Sequence, residues 1–530
     1  MSAVTATGVP TPAHAPPAGR RGNPWLSLAA VAFGLFMVGL DGSVVSIANP
    51  EIGRDLRAST AQLQWVTNAY LLALAAALIL GGKLGDRFGR RRYYLIGVAG
   101  FTVSSVAIGL AGSIDGVIAF RAAQGFFGAL LMPNTLGILR AVFPPRRFGM
   151  AVGIWAMVSS VSTALGPIVG GLLVQHVSWE SVFYLNAPVG VLALIVSALV
   201  LPESRNSTGR HRFDVAGVAL LAAGLLVLVF GVVKGETWGW GSGRTLGTLL
   251  AGLLILVFFG WFETRLEHPL LPMRLFRSPA LTIGALITAV NFFTLLGSIF
   301  YIMLYLQNVR GYSPVWAGVL TLPLSLASVV ASPVGAALTD RFGPRFSMPL
   351  GMVLQGGASF GLMLLDTDSG YGAMWPSFIG LGLGVGMVMA ASSEAIVGNA
   401  PVKDGGVAGG LQATMLQVGG ALGTSVLISL ISSRVGGTLV GSLTDAGVPA
   451  PLAQGLRAAQ DAVAMGIAPV TPDMPGTVRA AVIEGAGAAF VAGVHTAALA
   501  SGVLCLIGAV VSAVFIRRGA RPGEIVLPAH

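Results

Sequence analysis

Long apolar runs, separated by short clusters of charge, glycine or proline, divide almost the whole chain. A helix needs about 20 apolar residues to cross the hydrocarbon core of a bilayer, and in lipid only helices or closed barrels satisfy every backbone polar group. Barrel strands need only about 9–11 residues, and the runs here are far longer. They predict fourteen membrane-spanning helices, at 26–48, 64–84, 94–112, 116–140, 149–175, 182–201, 213–234, 245–263, 280–307, 314–338, 347–365, 372–396, 405–433 and 488–516. A Pro/Ala/Thr-rich tail, 1–24, precedes the first and is expected to be disordered. It does not read as a cleaved signal, because its basic residues come late and the apolar run behind it is full length. The Ala/Pro/Gly-rich stretch 434–487 reads as a long external loop carrying short helices, and 517–530 as a second tail.

Composition narrows the function classes. Of 530 residues, 54% are hydrophobic, 74 are glycine and only 10% are charged, against a typical charged share of about 25%. A soluble globule could not cover that much apolar surface. This excludes a soluble enzyme, a disordered chain and a nucleic-acid-binding domain, and makes the lipid bilayer a partner. The net charge of +10 follows from topology. With the N-terminus in the cytoplasm, one face collects 22 of the 31 Lys and Arg residues and the other eight, counting those at span ends with the adjoining loop; Arg121 remains, deep inside a span. Positive residues favour the cytoplasmic side, so both termini are expected there, in a multi-pass protein of the bacterial inner membrane. The single cysteine, Cys505, allows no internal disulfide.

The chain repeats itself. Leu84-Gly85-Asp86-Arg87-Phe88-Gly89-Arg90-Arg91 matches Leu338-Thr339-Asp340-Arg341-Phe342-Gly343-Pro344-Arg345 at an offset of 254, which also carries Gly81 onto Gly335. Two six-helix halves, 25–203 and 271–516, with two inserted helices in 204–270, account for that offset. Parallel repeats of this kind are a transporter signature.

Gly82-Lys83-Leu84-Gly85-Asp86-Arg87-Phe88-Gly89-Arg90-Arg91 resembles the loop motif between the second and third helices of the major facilitator superfamily. Over about 25–520 the chain is similar to its fourteen-helix drug–proton antiporters, the EmrB/QacA-type group. The fold class implied is an all-α integral membrane protein with the 6 + 2 + 6 major facilitator arrangement. The resemblance implies a cytoplasmic latch at Gly82, Asp86, Arg87, Gly89 and Arg90, echoed by Asp340 and Arg341. Gly153, Gly166, Pro167, Gly170 and Gly171 in the fifth span resemble the antiporter motif, which marks exporters and implies a glycine-rich hinge. Trp179, Phe183, Asn186, Pro188 and Gly190 match the run into the sixth helix, with Glu180 where a basic residue is usual. Gly409-Gly410-Leu411-Gln412 and Gln417-Val418-Gly419 fit the thirteenth, with Leu416 in place of an arginine.

Asp41, in Leu40-Asp41-Gly42-Ser43, is an acid inside an apolar helix, where a charge costs roughly 2.5–3.5 kcal/mol on insertion scales. Such a group faces a cavity or a partner. Arg121, in Arg121-Ala122-Ala123-Gln124-Gly125, resembles the family's intramembrane arginine. At 1.5 Å per residue, Asp41 falls ~10 Å and Arg121 ~8 Å from the outer ends of their spans, so the two are expected to meet; protonation of Asp41 would break the pair and bias the rocking of the halves. A static ion pair that fixes packing is the alternative. Glu394 is equally an interfacial carboxylate or a further proton-coupling site, and His495 reads as a packing residue.

Bulky compounds need aromatic, Met and amide walls. The candidates are Trp65, Asn68, Tyr70, Gln124, Trp155, Asn291, Phe292, Tyr301, Tyr305, Gln412, Met415 and Gln417. A phosphate-cradling loop needs Gly-Lys-Ser/Thr, and the lysine that follows a glycine, Lys83, is followed by Leu84. An ion gradient, not ATP, is therefore expected to supply the energy, with no metal and no cofactor. The reading is a monomeric proton-coupled exporter of drugs, antibiotics or other amphipathic small molecules. Alternatives are an exporter dedicated to one metabolite, its own antibiotic or a lipid, and, with less support, a channel or transport-inactive sensor. No nucleophile–base constellation marks an enzyme.

Overall fold

The computed structural model describes residues 23–516 apart from 59, 205–213, 240, 268, 402–403 and 472. Both expected tails therefore lie almost wholly outside the described residues. The first half contains α1 (Pro24–Asp55), α2 (Thr60–Phe88), α3 (Arg90–Gly109), α4 (Ile114–Val142), α5 (Pro145–His176), the short α6 (Glu180–Tyr184) and α7 (Asn186–Val200). Two helices follow, α8 (Val215–Trp238) and α9 (Gly243–Glu263). The second half holds α10 (Pro279–Leu304), the short α11 (Pro314–Leu320), α12 (Leu322–Phe342), α13 (Pro344–Gly361), α14 (Tyr371–Ser393) and α15 (Gly405–Asp445). It ends with α16 (Ala450–Gly455), α17 (Gln460–Ala464) and α18 (Gly476–Phe515). Single π turns extend α10 through Tyr305–Val309 and α14 through Glu394–Gly398. Ten helices among the described residues are long and apolar enough to cross a membrane.

Local signals set the helix starts. Ser113, Asp214 and Ser242 each cap a helix by accepting the backbone N–H three residues on, satisfying one of the donors that a helix start leaves over. Large apolar side chains also face outward: Leu199, Leu250, Leu254 and Val510 are exposed. A surface so apolar fits lipid as solvent.

Two expected boundaries move. The first span was expected to end at 48, before Pro50, yet α1 continues to Asp55. The stretch 434–487, expected to be a loop, is largely helical. Val435, Leu439 and Leu443 recur every fourth residue and are fully buried, which carries α15 on to Asp445 despite the Gly and Ser between them, and α18 begins at Gly476.

The core shows how the halves meet. One buried cluster joins residues of α1–α5 to Leu281, Met389, Val407 and Leu411 of the second half. It lies at the end where α2 finishes and α15 begins, here called the latch end. At the opposite end the core separates. Leu40, Ile52, Ile114 and Phe183 belong to a cluster confined to the first half, while Tyr301, Phe378, Leu439 and Phe490 belong to one confined to the second. The inserted α8 packs on α9 and also touches both α2 and α15, so it straddles the seam.

Candidate functional site

The most buried polar assembly centres on Asp41 and Arg121, each with its side chain 1% exposed. Arg121 donates from Nη1 to Asp41 Oδ2 at 2.7 Å and to Gln124 Oε1 at 2.6 Å, and from Nε to the Val66 carbonyl at 3.1 Å. Asp41 Oδ1 accepts from Gln124 Nε2 at 2.9 Å and from Asn186 Nδ2 at 3.0 Å. Asn186 also donates to Ser105 Oγ, which donates to the Phe183 carbonyl, both at 2.9 Å. The guanidinium lies over the Tyr70 ring, 4.1 Å from its centroid. Five helices, α1, α2, α3, α4 and α7, thus converge on one carboxylate. A buried charge pair offsets its desolvation only when the remaining hydrogen-bonding capacity is filled, and here the surrounding amides fill it.

Because α1 runs on, Asp41 stands about 14 residues from its end, ~21 Å at 1.5 Å per residue, deeper than the sequence estimate. Arg121, seven residues into α4, still reaches it. Asn186 and Ser105 were not singled out as site residues; an asparagine leading into an apolar run was the available signal.

The motif between α2 and α3 forms a second polar site. Asp86 Oδ1 accepts from Arg90 Nε at 2.7 Å and from the Gly406 N–H at 3.0 Å, and Oδ2 accepts from the Val407 N–H at 3.0 Å. These are first-turn donors of α15, where unpaired N–H groups and the helix dipole favour an anion. Arg90 also donates to the Gly137 carbonyl at 3.1 Å. Gly89 adopts φ +120° to turn the chain between α2 and α3, and Gly343, its repeat equivalent, adopts φ +80°. Gly82 brings α2 so close to α15 that a Cβ would sit 2.1 Å from the Gly406 carbonyl oxygen. Arg87 lies over Phe88. In the second copy, Asp340 faces Gly149 of α5, where an added Cβ would meet Oδ1 at 2.5 Å; Arg341 lies over Phe342.

Glu394 sits at the latch end of α14. Its carboxyl lies against Gly398, whose carbonyl accepts from Arg140 Nη2 at 2.9 Å. That places it far from Asp41. The glycines expected as a hinge line helix contacts in an unbroken α5: Gly153 meets Ser332 and Ala336 of α12, and Gly166 and Gly170 meet Ser43 and Val44 of α1. Gly171 is half-buried, and Pro167 lies within the same continuous helix. The ring of His495 lies 2.7 Å from the Leu365 carbonyl.

The structure divides the pocket candidates. Tyr70 and Gln124 belong to the ion-pair network. Trp65 faces the inserted helices, stacked on Phe230 of α8 at 6.3 Å, beside an apolar groove between α2, α4 and α8. Tyr301 and Tyr305 pack into the second-half core, and the Tyr305 hydroxyl donates to the Asp366 carbonyl at 2.5 Å. Asn291 is fully buried on α10, and its carbonyl accepts from Gln355. Trp155, Phe292 and Met415 reach the cluster that joins the halves, Trp155 donating to Thr135 at 3.0 Å. Gln412 of α15 donates to Ser393 of α14. Asn68 and Gln417 are half-buried.

The Major Facilitator Superfamily model matches residues 31–424. The chain is 45% identical over 512 residues to the tetracenomycin C resistance and export protein of Streptomyces glaucescens, covering 97% of this chain and 95% of that one. It is 32% identical over 497 residues to the multidrug efflux pump LfrA of Mycolicibacterium smegmatis, covering 93% and 96%. Among solved structures, the proton:xylose symporter XylE superposes with a TM-score of 0.61 at 14% identity, covering 93% and 96%, which supports the fold alone. With the family model spanning most of its length, and with its helices and latch motif, the chain belongs to the Major Facilitator Superfamily and is a multi-pass membrane transporter.

Proposed function

We propose that the protein exports drugs, antibiotics or related amphipathic small molecules from the bacterial cytoplasm in exchange for protons. The observation that carries this reading is the Asp41 carboxylate, buried in the first half and held by Arg121, Gln124 and Asn186, in a chain whose relatives bear the names of export and resistance proteins. Protonation removes the charge that Arg121 pairs with. The guanidinium then loses its counter-ion in a low-dielectric site, and the assembly must rearrange or re-pair. Coupling that rearrangement to the latch would move the seam between the halves.

In this reading all fourteen helical segments span the inner membrane, and both termini lie in the cytoplasm on the face that collects 22 Lys and Arg residues. The latch end is then cytoplasmic. Its closure by Asp86 and the core separation at the other end describe an outward-directed shape. The protein works as a monomer, without a catalytic centre. Everted vesicles test the coupling: dye or antibiotic uptake should depend on an imposed pH gradient and stop when it is collapsed. Uptake indifferent to the gradient would reject antiport.

A narrower specificity is the second reading, favoured by the name of the 45% identical relative, which specifies a single compound. A panel of unrelated amphiphiles in the same assay separates the two, since a dedicated exporter moves one chemical class.

A further inference from the structure

We propose that Asp214 and Glu263, which open and close the inserted helix pair, share one proton and form a second proton-holding site, at the latch end. Asp214 caps α8, its Oδ1 accepting from the Gly217 N–H at 2.8 Å. Glu263 ends α9, is 2% exposed, and accepts from the Leu271 N–H through Oε2 at 3.0 Å. The other oxygen of each, Asp214 Oδ2 and Glu263 Oε1, is buried and has no hydrogen-bond partner among the described residues. Both converge on one spot: a Cβ on Gly217 would meet Oδ2 at 1.9 Å and Oε1 at 2.4 Å. Two acceptors facing each other in a buried site repel when both are ionised, and a single proton between them turns that contact into a hydrogen bond.

The surrounding charges leave room for one proton. Among the described residues, the cation facing Glu263 is Lys83 of α2, whose ammonium donates to the Pro269 carbonyl at 2.6 Å. Lys83 also stands near Asp86, Arg87 and Asp404. Asp86 is paired with Arg90, and Asp404 with Arg274 at 3.0 Å. Arg265 lies over Trp261. Among the described residues, these two carboxylates and one lysine carry one excess negative charge, which the shared proton removes.

The site occupies a junction. Through Lys83 and Pro269 the segment after α9 is tied to the latch helix α2, and through Arg274 and Asp404 to the start of α15. Loss of the proton would set Asp214 against Glu263 and loosen the inserted pair from both halves. This site is independent of Asp41, so its failure and the failure of the Asp41 mechanism are separable.

The test uses the purified full chain in lipid nanodiscs. At neutral pH, infrared difference spectra should show a carboxylic-acid C=O band in the wild type that Glu263→Gln and Asp214→Asn each remove. Both amides retain a hydrogen bond across the pair, and the double variant serves as the folding control. Hydrogen exchange over 263–273, corrected for intrinsic rates, should rise by up to about tenfold per pH unit in the wild type while the shared proton is being lost and stay flat in Glu263→Gln. A band that survives both substitutions overturns the proposal. Loss in only one variant places the proton on a single carboxyl and overturns sharing. Exchange independent of pH in the wild type overturns the linkage to the inserted helices.

Discussion

Asp41 and Arg121 are eighty positions apart in sequence and 2.7 Å apart in space. Neither is exposed, so each supplies the other's counter-charge in a site shut off from water. Asp41→Asn keeps the shape and the Gln124 and Asn186 contacts but removes the proposed proton-binding group. Gradient-driven transport should fall to background. Arg121 keeps its bonds to Gln124 and Val66, so the stability loss should stay below the ~3–5 kcal/mol typical of a broken buried pair. Vesicle transport and a detergent melting curve measure the two effects; normal coupled transport by this variant would move the proton site elsewhere.

Gly82→Ala should abolish transport with little loss of melting temperature. Its Cβ would lie 2.1 Å from the Gly406 carbonyl oxygen across the seam. The latch end could not close, while each half keeps its own packing. Gly357→Ala, where nothing lies within 4 Å, is the matched control and should be neutral in both assays.

Gly125→Ala should act in the opposite way. There the Cβ would meet the Tyr70 carbonyl oxygen at 2.3 Å, inside the first half. Overpacking of this kind costs about 1–3 kcal/mol, and it acts whichever way the seam is set. Thermal unfolding should show the loss with and without substrate.

Asp86→Ala should be far more damaging than Asp340→Ala. Asp86 is buried and receives Arg90 and two backbone donors, whereas Asp340 is exposed. Spin labels on α2 and α15 at the latch end should show a widened distance in the first variant and an unchanged one in the second.

Much of this was legible in the chain. Twenty apolar residues in lipid leave few alternatives to a helix, and an acid and an arginine at similar depth invite pairing. The helix ends were less legible. The first apolar run ends near 48, yet α1 continues through Pro50 to Asp55, since an apolar run marks what lipid can cover and not where a helix stops. Aromatic candidates were the least legible. Trp65, Tyr301 and Trp155 have the same chemistry in sequence, yet one faces the inserted helices, one a half-domain core and one the seam. Nothing local distinguishes them, since the choice depends on which face of each helix meets which neighbour.

The duplicated motif is not duplicated in strength. Where the first copy places Arg90, the second has Pro344, which supplies no donor to its aspartate. On the proposed rocking mechanism the two opposite-facing shapes are therefore unequal in free energy, and an empty carrier would rest predominantly in the one that Asp86 fastens. A directional bias of this kind needs no additional regulator: it is written into the position where one copy of the repeated motif carries Arg90 and the other Pro344.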